Sequence, residues 1–413
     1  MSVHNVAQNS ALQDLRWVAF MGDFVLLKAL ILKKNNTFLW GLFGWCDSLC
    51  RGFGQVVFAN NPISGIMIMI ALALTAPGIL VAAVGTGFFG LLLSLLLRDT
   101  GDNIDNGLTV FNPVLIGAVT YASAPRFYGA IDAFAVLIIV VGTIFSVYLT
   151  RSLGTGRFPC LTAPYNIVEP ILLLVLTMQR DFGQMSKALE IVTMQNDVQM
   201  ENSTEFLFVE RGLINETLNL EKLNWGLVFR GVVTSASQLY AVDDVAAASV
   251  IYLSIIVYSP LTALFSFLGA LVGSLVALSL NVPLVSVYAG LWGYNSFLTG
   301  GAFGGLFLVI SGQTAAVAFV AIIFTTLLQY VGDPLMAKVG LPVLTIPFVV
   351  TAWLFFGLRD SVDGTFPRPA LVTFPEHELH SYRLKGHELD LEKIEENSDA
   401  ESPNAEEKIS SND

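Results

Sequence analysis

Two eight-residue stretches decide the fold: Phe158-Pro-Cys-Leu-Thr-Ala-Pro-Tyr165 and Leu341-Pro-Val-Leu-Thr-Ile-Pro-Phe348. Each holds two prolines five residues apart, and both cannot lie inside a regular helix, because a proline removes a donor and crowds the preceding turn. We therefore expect irregular backbone between them, which a membrane tolerates only where protein buries it or where it lines a cavity. The freed carbonyls and the hydroxyls of Thr162 and Thr345 predict an uncharged set of acceptors, suited to a neutral solute that carries hydrogen-bond donors.

The sequence around these stretches is that of a membrane protein. Of its 413 residues, 54% are hydrophobic and 13% are charged, about half the charged fraction of a typical soluble domain. The 88 residues between Asp244 and Asp333 contain no Asp, Glu, Lys, Arg or His. Such a stretch is typical of a chain that crosses a bilayer several times.

The net charge of −12 belongs mainly to the end of the chain. The segment Glu376–Asp413 holds 12 acidic and 4 basic residues. We expect residues 359–413 to form an acidic, largely disordered cytoplasmic tail. No basic stripe is present to neutralise phosphates, so a nucleic-acid partner is not expected.

Cysteine and histidine give no sign of a metal or cofactor site. The three cysteines are too few and wrongly spaced for a disulfide framework or a zinc site. The four histidines all lie near the termini, which leaves a Ser–His triad or a buried metal centre without its usual residue. We therefore predict that the protein binds neither a metal nor a cofactor. The cysteines and histidines concerned are Cys46, Cys50, Cys160, His4, His377, His380 and His387.

An internal repeat organises the apolar runs. Matching residues recur at a constant offset of 183 positions, and the clearest pairs are Gln55 with Gln238, Pro77 with Pro260, Asn112 with Asn295, Leu115 with Leu298, and Thr162 with Thr345. The run count suggests five spans in each unit, and an odd number inverts the second unit relative to the first. The sequence thus predicts an all-α membrane protein of two inverted repeats of five transmembrane helices. The shorter run near 107–123 predicts an extended entry followed by a half-membrane helix.

The expected domain boundaries follow from this repeat. They are an N-terminal cytoplasmic or interfacial segment 1–44, a first repeat 45–180, an extracellular segment 181–224, a second repeat 225–358, and the tail. Glycosylation sequons at Asn202 and Asn215 place the connecting segment outside the cell. Basic residues before the first firm span place the N-terminus inside, and ten spans return the C-terminus to the cytoplasm.

Several motifs resemble those of the urea transporter family. The pattern Leu-Pro-x-x-Thr-x-Pro-Phe at Leu341–Phe348 resembles its signature, and Gly52–Gly65 is similar to its first pore-lining stretch. The segments Gly290–Ser296 and Val372–Glu376 are similar to its second pore-helix entrance and its post-membrane segment. Over residues 45–376 the resemblance implies inverted repeats with half-spanning pore helices, a pore through each protomer, a homotrimer in the plasma membrane, and passive conduction of urea.

The resemblance also implies roles for particular residues. Polar side chains would stand at the two ends of the filter, apolar walls and aromatic plates would sandwich a flat solute, and two hydroxyls would mark the constriction. The polar ends are Gln55 and Gln238, the walls are Val56, Phe58 and Leu239, the plates are Phe111 with Leu115 and Tyr294 with Leu298, and the hydroxyls are Thr162 and Thr345. The repeat mates Asn112 and Asn295 complete the expected pore residues.

Other functions remain open at this point. An ion-coupled transporter would need carboxylates, and only Asp243, Asp244 and Glu169 are suitably placed. A channel for another small neutral solute, such as ammonia, water or amides, is the other alternative, although both Asn-Pro pairs, Asn61-Pro62 and Asn112-Pro113, lie in the first repeat and no histidine lies in the membrane region. A membrane enzyme is not expected, because no nucleophile, base or metal set accompanies the paired aspartates.

Overall fold

The structure, a computed structural model, describes residues 20–34, 38–154, 158–196, 223–360, 365–367, 369 and 374–384. Within these ranges every regular element is helical and none is a strand. The predicted glycosylation sites Asn202 and Asn215, and most of the acidic tail, lie outside the described residues.

The helices fall into two series. The first series is α1 Val25–Lys34, α2 Phe38–Gln55, α3 Pro62–Thr75, α4 Pro77–Leu96, α5 Gly101–Asp105, α6 Phe111–Phe127, α7 Ala133–Leu153 and α8 Ala163–Asn196. The second series is α9 Trp225–Gln238, α10 Val245–Tyr258, α11 Pro260–Ser279, α12 Leu284–Tyr288, α13 Tyr294–Gly301, α14 Gly312–Ala337 and α15 Ile346–Phe356. A π-helical turn, Ala302–Leu306, follows α13, and a 3₁₀ turn, Gly357–Asp360, follows α15.

The helices have the length and the outer surface of a membrane protein. Four of them in the described part of the chain, α4, α7, α11 and α14, are long and apolar enough to cross a membrane. Large apolar side chains point outward on α3 and α4, where Leu74 is 82% exposed and Leu96 is 77% exposed. In water such a surface is unfavourable, whereas lipid accommodates it. The chain is an all-α membrane protein.

The helical series recurs with the offset seen in the sequence. Helices α3, α4, α6 and α8 begin 183 residues before α10, α11, α13 and α15 respectively. Left-handed backbone recurs at the same spacing, with φ of 64° at Phe58 and 57° at Ala241, and of 48° at Leu161 and 52° at Leu344. Similar residues at matched positions therefore adopt similar local conformations.

Helix starts explain part of this correspondence. Asn61 caps α3 by accepting from the Ile63 N–H, and its mate Asp244 caps α10 by accepting from the Ala247 N–H. Pro77 opens α4 in the first turn, where a missing N–H costs no bond. The apolar run that the sequence carries across residue 76 is consequently divided there into two helices.

The segment before the first pore helix is not extended, which corrects the expectation from sequence. Residues 106–110 form turns, and Gly107 has a φ of +67°. A Cβ at Gly107 would lie 2.4 Å from the Gly52 nitrogen. Close packing of this turn on α2 leaves no room for a side chain there and makes the compact conformation the favoured one.

The two halves pack through matched helices. Helix α3 packs on its mate α10, and α8 contacts its mate α15. The Ser64 hydroxyl on α3 donates to the Ser254 carbonyl on α10 at 2.6 Å. Elements that touch their own repeat mates lie where the halves meet, and the site described below lies there too.

Helix packing in the first half depends on Gly65. A Cβ at Gly65 would lie 1.7 Å from the Cys50 carbonyl oxygen, whereas a Cβ at Gly85 would meet nothing within 4 Å. We expect Gly65→Ala to destabilise the protein by about 1–3 kcal/mol, the usual cost of overpacking. Thermal unfolding in detergent measures this effect.

The matched control is Gly85→Ala, which should leave the melting temperature unchanged or slightly higher. Equal melting temperatures for Gly65→Ala and the wild type would contradict the close approach of α2 and α3.

Candidate functional site

The two proline-bracketed segments meet where the two halves contact each other. Residues 158–162 and 341–345 lie outside regular helix, which confirms the irregular backbone predicted there. Pro164 and Pro347 fall in the first turns of α8 and α15, where a proline is tolerated. The hydroxyl oxygens of Thr162 and Thr345, immediately before these helices, lie 2.8 Å apart.

Matched asparagines hold the two segments in place. The Asn112 side-chain nitrogen donates to the Leu161 carbonyl at 3.1 Å, and the Asn295 side-chain nitrogen donates to the Leu344 carbonyl at 3.1 Å. Both asparagines have no exposed surface. They fix the positions of carbonyls that a continuous helix would otherwise have used.

The two halves differ in one hydrogen-bond donor to these backbone carbonyls. The Tyr294 hydroxyl donates to the Leu344 carbonyl at 2.6 Å, so that oxygen accepts from both Tyr294 and Asn295. In the first half the matching residue is Phe111, which has no hydroxyl. A carbonyl oxygen has two lone pairs, and the Leu161 carbonyl is therefore less occupied than its mate.

A cavity of about 710 Å³ opens beside the first segment. Six of the residues predicted from sequence as pore-lining border it: Gln55, Val56, Phe58, Phe111, Thr162 and Leu298. Phe348 also borders it, with its ring centroid 5.8 Å from that of Phe58. Aromatic side chains, Leu161 and Thr162 thus border the same cavity.

The other predicted pore residues do not border this cavity. Leu115 and Leu239 are 2% and 4% exposed and belong to the hydrophobic core. The remaining members of this group are Asn112, Gln238, Tyr294, Asn295 and Thr345. The cavity therefore includes Thr162 but not Thr345, and Leu298 is the one predicted pore residue of the second half that borders it.

The two glutamines make equivalent bonds. The Gln55 side-chain nitrogen donates to the Asn106 carbonyl at 2.9 Å, and the Gln238 side-chain nitrogen donates to the Ala289 carbonyl at 2.7 Å. Asn106 and Ala289 are themselves repeat mates. With each nitrogen bound to backbone, the amide oxygen is the part of the side chain left to accept from a solute.

Tyr240, which follows the predicted wall residue Leu239, contacts the opposite half of the molecule. It is fully buried, and its hydroxyl donates to the Phe53 carbonyl at 2.6 Å. It therefore joins the halves and does not border the cavity.

A charged cluster around the buried Arg51 reaches the cavity at Asp23, and we call this part of the cavity the mouth. Arg51 is fully buried, with its Nε 2.6 Å from an Asp47 carboxylate oxygen, and it donates to the Asp23 carbonyl at 2.7 Å. Lys28 donates to the Asn106 side chain at 2.9 Å. Asp23 itself borders the cavity. Burial raises the pKa of Asp23 from 3.8 to about 6, against the opposing influence of the Arg51 and Lys28 charges.

The three acids considered for ion coupling are engaged in other contacts. Asp244 caps α10, and Asp243 pairs with Arg230 at 2.8 Å on the surface. Glu169 is fully buried and accepts from the Thr120 hydroxyl at 2.8 Å. None of the three borders the cavity. Among the described residues, no cluster of three His, Cys, Asp or Glu has the arrangement of a metal site.

Sequence reasoning missed several residues of the site. Asp23 lies before the predicted membrane region, and no local pattern indicates that it folds back onto the mouth. Phe348 is the last residue of the second signature, and its position beside the irregular segment could have indicated that it belongs to the site. Asn166 offered another, as an amide in an otherwise apolar run. It bonds both central threonines.

Comparison with known proteins gives a consistent family match. The family model described as urea transporter matches residues 46–360. Urea transporter 1 of Ovis aries is 29% identical over 339 residues, covering 80% of this chain and 81% of that protein. Urea transporter 1 of Capra hircus is 29% identical over 334 residues with the same coverage, and that of Rattus norvegicus is 29% identical over 338 residues.

The raised pKa of Asp23 predicts a pH-dependent stability. A carboxyl whose folded pKa exceeds its unfolded pKa contributes most stability below the unfolded value, and this is lost as the pH rises through the folded value. We expect Asp23→Asn to raise the melting temperature by about 2–4 °C above pH 6. The gain should shrink as the pH falls from 6 towards 4.

Thermal unfolding in detergent between pH 4 and pH 8 measures this difference. The exposed Asp102 provides the control, since Asp102→Asn should behave as the wild type does at each pH. A gain for Asp23→Asn that is the same at every pH would contradict the burial of the Asp23 charge.

Proposed function

Since the chain belongs to the urea transporter family, we propose that it conducts urea down its concentration gradient through a narrow pore in each protomer. The observation that carries the proposal is the central pair Thr162 and Thr345, where two irregular segments present oxygens beside an aromatic cavity. The family consists of transporters, and the prediction that the chain is not an enzyme is confirmed.

The chemistry of urea suits the walls of this cavity. Urea is flat and uncharged, with N–H groups at two corners and one carbonyl. The rings of Phe58, Phe111 and Phe348 offer flat apolar faces, while Thr162 and the Leu161 carbonyl offer acceptors for N–H groups. Between these aromatic rings a hydrated ion would lose several kcal/mol of hydration.

We propose that the path continues through the second half. The repeat supports this extension, because Gln238, Tyr294 and Leu298 stand at the positions of Gln55, Phe111 and Leu115. On this account Leu239 and Thr345 also face the path, and Asn112 and Asn295 support its carbonyls. Conduction then requires that the path open on the far side of the threonine pair.

The remaining predictions about the assembly are part of the same proposal. They are inverted repeats with half-membrane pore helices, the five domains given by sequence, a homotrimer surrounded by lipid, a plasma-membrane location and cytoplasmic termini. Glycosylation at Asn202 and Asn215 would mark the extracellular side. A coupled mechanism is not favoured, because the carboxylates available for it make structural contacts.

Urea flux into liposomes tests the function directly. Purified protein should pass urea without any sodium or proton gradient, and Leu298→Trp should reduce this flux at least about tenfold, because Leu298 borders the cavity and is 2% exposed. Stopped-flow light scattering measures the rate.

The matched control is Leu74→Trp on the lipid-facing surface, where Leu74 is 82% exposed. It should conduct as the wild type does. Wild-type flux equal to that of empty liposomes would overturn the proposed function, and flux that required an ion gradient would favour the coupled transporter.

Tyr294 has a hydroxyl group and its repeat mate Phe111 has none. Removing the hydroxyl from one half and adding it to the other should therefore change urea flux in opposite directions. Tyr294→Phe frees a lone pair on the Leu344 carbonyl and should raise urea flux about two- to fivefold. Phe111→Tyr places a hydroxyl near the Leu161 carbonyl and should lower flux by a similar factor, since a hydrogen bond contributes about 0.5–1.5 kcal/mol. The same liposome assay measures both variants. Changes of the same sign in the two variants would contradict the role of these carbonyls.

A further inference from the structure

One amide contacts both central hydroxyls. Asn166 lies in the first turn of α8 and is 8% exposed. Its Oδ1 accepts from the Thr345 backbone N–H at 3.1 Å and from the Thr345 hydroxyl at 3.1 Å. Its Nδ2 donates to the Thr162 hydroxyl oxygen at 3.4 Å. With the 2.8 Å bond between the threonines, these contacts close a ring of three side chains.

The direction of every bond in this ring follows from the donors available. The Thr345 backbone N–H only donates, so the amide oxygen of Asn166 must face Thr345 and the amide nitrogen must face Thr162. The single hydroxyl hydrogen of Thr345 goes to the Asn166 oxygen. The bond between the threonines therefore uses the hydrogen of Thr162.

Both hydroxyl hydrogens are consequently held inside the ring. Each threonine oxygen also accepts one bond within it, so each retains one lone pair and no hydrogen for other partners. We propose that Asn166 is a positioning residue for permeation, which makes the threonine pair a pure acceptor that favours solutes with N–H groups. This inference rests on the proposed function and deepens it.

Asn166 acts through the threonines and not by contact with the solute. Thr162 borders the cavity, whereas Asn166 does not. The repeat mate of Asn166 is Val349, an apolar residue 4% exposed, so the second half supplies no equivalent amide. A single asymmetric residue thus orients the hydroxyls of both halves.

Replacing the amide by an apolar side chain with the same number of non-hydrogen atoms tests this role. In Asn166→Leu each hydroxyl is free to turn its hydrogen towards the solute. We expect urea permeability to fall about two- to tenfold, the effect of one or two hydrogen bonds. The wild type should prefer urea to acetamide, which has the same shape with one NH₂ replaced by methyl. The variant should lose most of that preference, as measured by stopped-flow in liposomes with empty liposomes subtracted.

A double-mutant cycle separates orientation from packing. In a Thr162→Val background, which lacks one hydroxyl, Asn166→Leu should have a clearly smaller effect on the urea-to-acetamide ratio than in the wild type. If Asn166→Leu fails to fold, Asn166→Ala removes the amide without added bulk and should give the same loss of preference.

Two results would overturn the role of Asn166 and leave the proposed function standing. In the first, the wild type conducts urea but the Asn166 variants keep its urea-to-acetamide ratio. In the second, the effects of Asn166→Leu and Thr162→Val on that ratio are additive. A wild type that passes no urea would instead overturn the proposed function itself.

Discussion

The structure depends on two chain segments that prolines prevent from being helical. At 158–162 and 341–345 the backbone leaves the helix, and its carbonyls need partners inside a membrane protein that offers no bulk water. Asn112 and Asn295 satisfy them from the neighbouring helices. The helices that follow, α8 and α15, begin at once and bring Thr162 and Thr345 into contact. Irregular backbone that would be unfavourable elsewhere thereby becomes a set of fixed acceptors.

The repeat explains why the two halves share most of their contacts, and its exceptions are few. Matched glutamines, asparagines and helix caps make matched bonds in the two halves. The exceptions are Tyr294 against Phe111, and Asn166 against Val349, and both act on the central oxygens. A third exception lies at the mouth, where buried Arg51 donates to the Asp23 carbonyl, whereas Arg230 and Asp243 of the second half form a surface pair.

Much of the fold was predictable from the residues. The length of the apolar runs predicted a helical membrane protein, and the constant offset of 183 residues predicted that helix starts recur. The paired prolines indicated where the backbone departs from helix. The turn at Gly107 was predicted wrongly as extended, because its conformation is imposed by packing on α2. The ring around Asn166 was also beyond sequence reasoning, since it joins residues 179 positions apart. Likewise, no periodicity indicates that Asp23 returns to the cavity mouth or that Tyr240 bonds to the opposite half.

The central claim is that the oxygens around the threonine pair hold the solute between aromatic faces. A structure with bound selenourea, located by the anomalous signal of selenium, tests this most directly. The account predicts a selenium peak inside the cavity, between the ring of Phe111 and Thr162, with an NH₂ group of the ligand about 3 Å from the Thr162 hydroxyl oxygen. Selenium found only at the protein surface, with the cavity beside Thr162 empty, would contradict it.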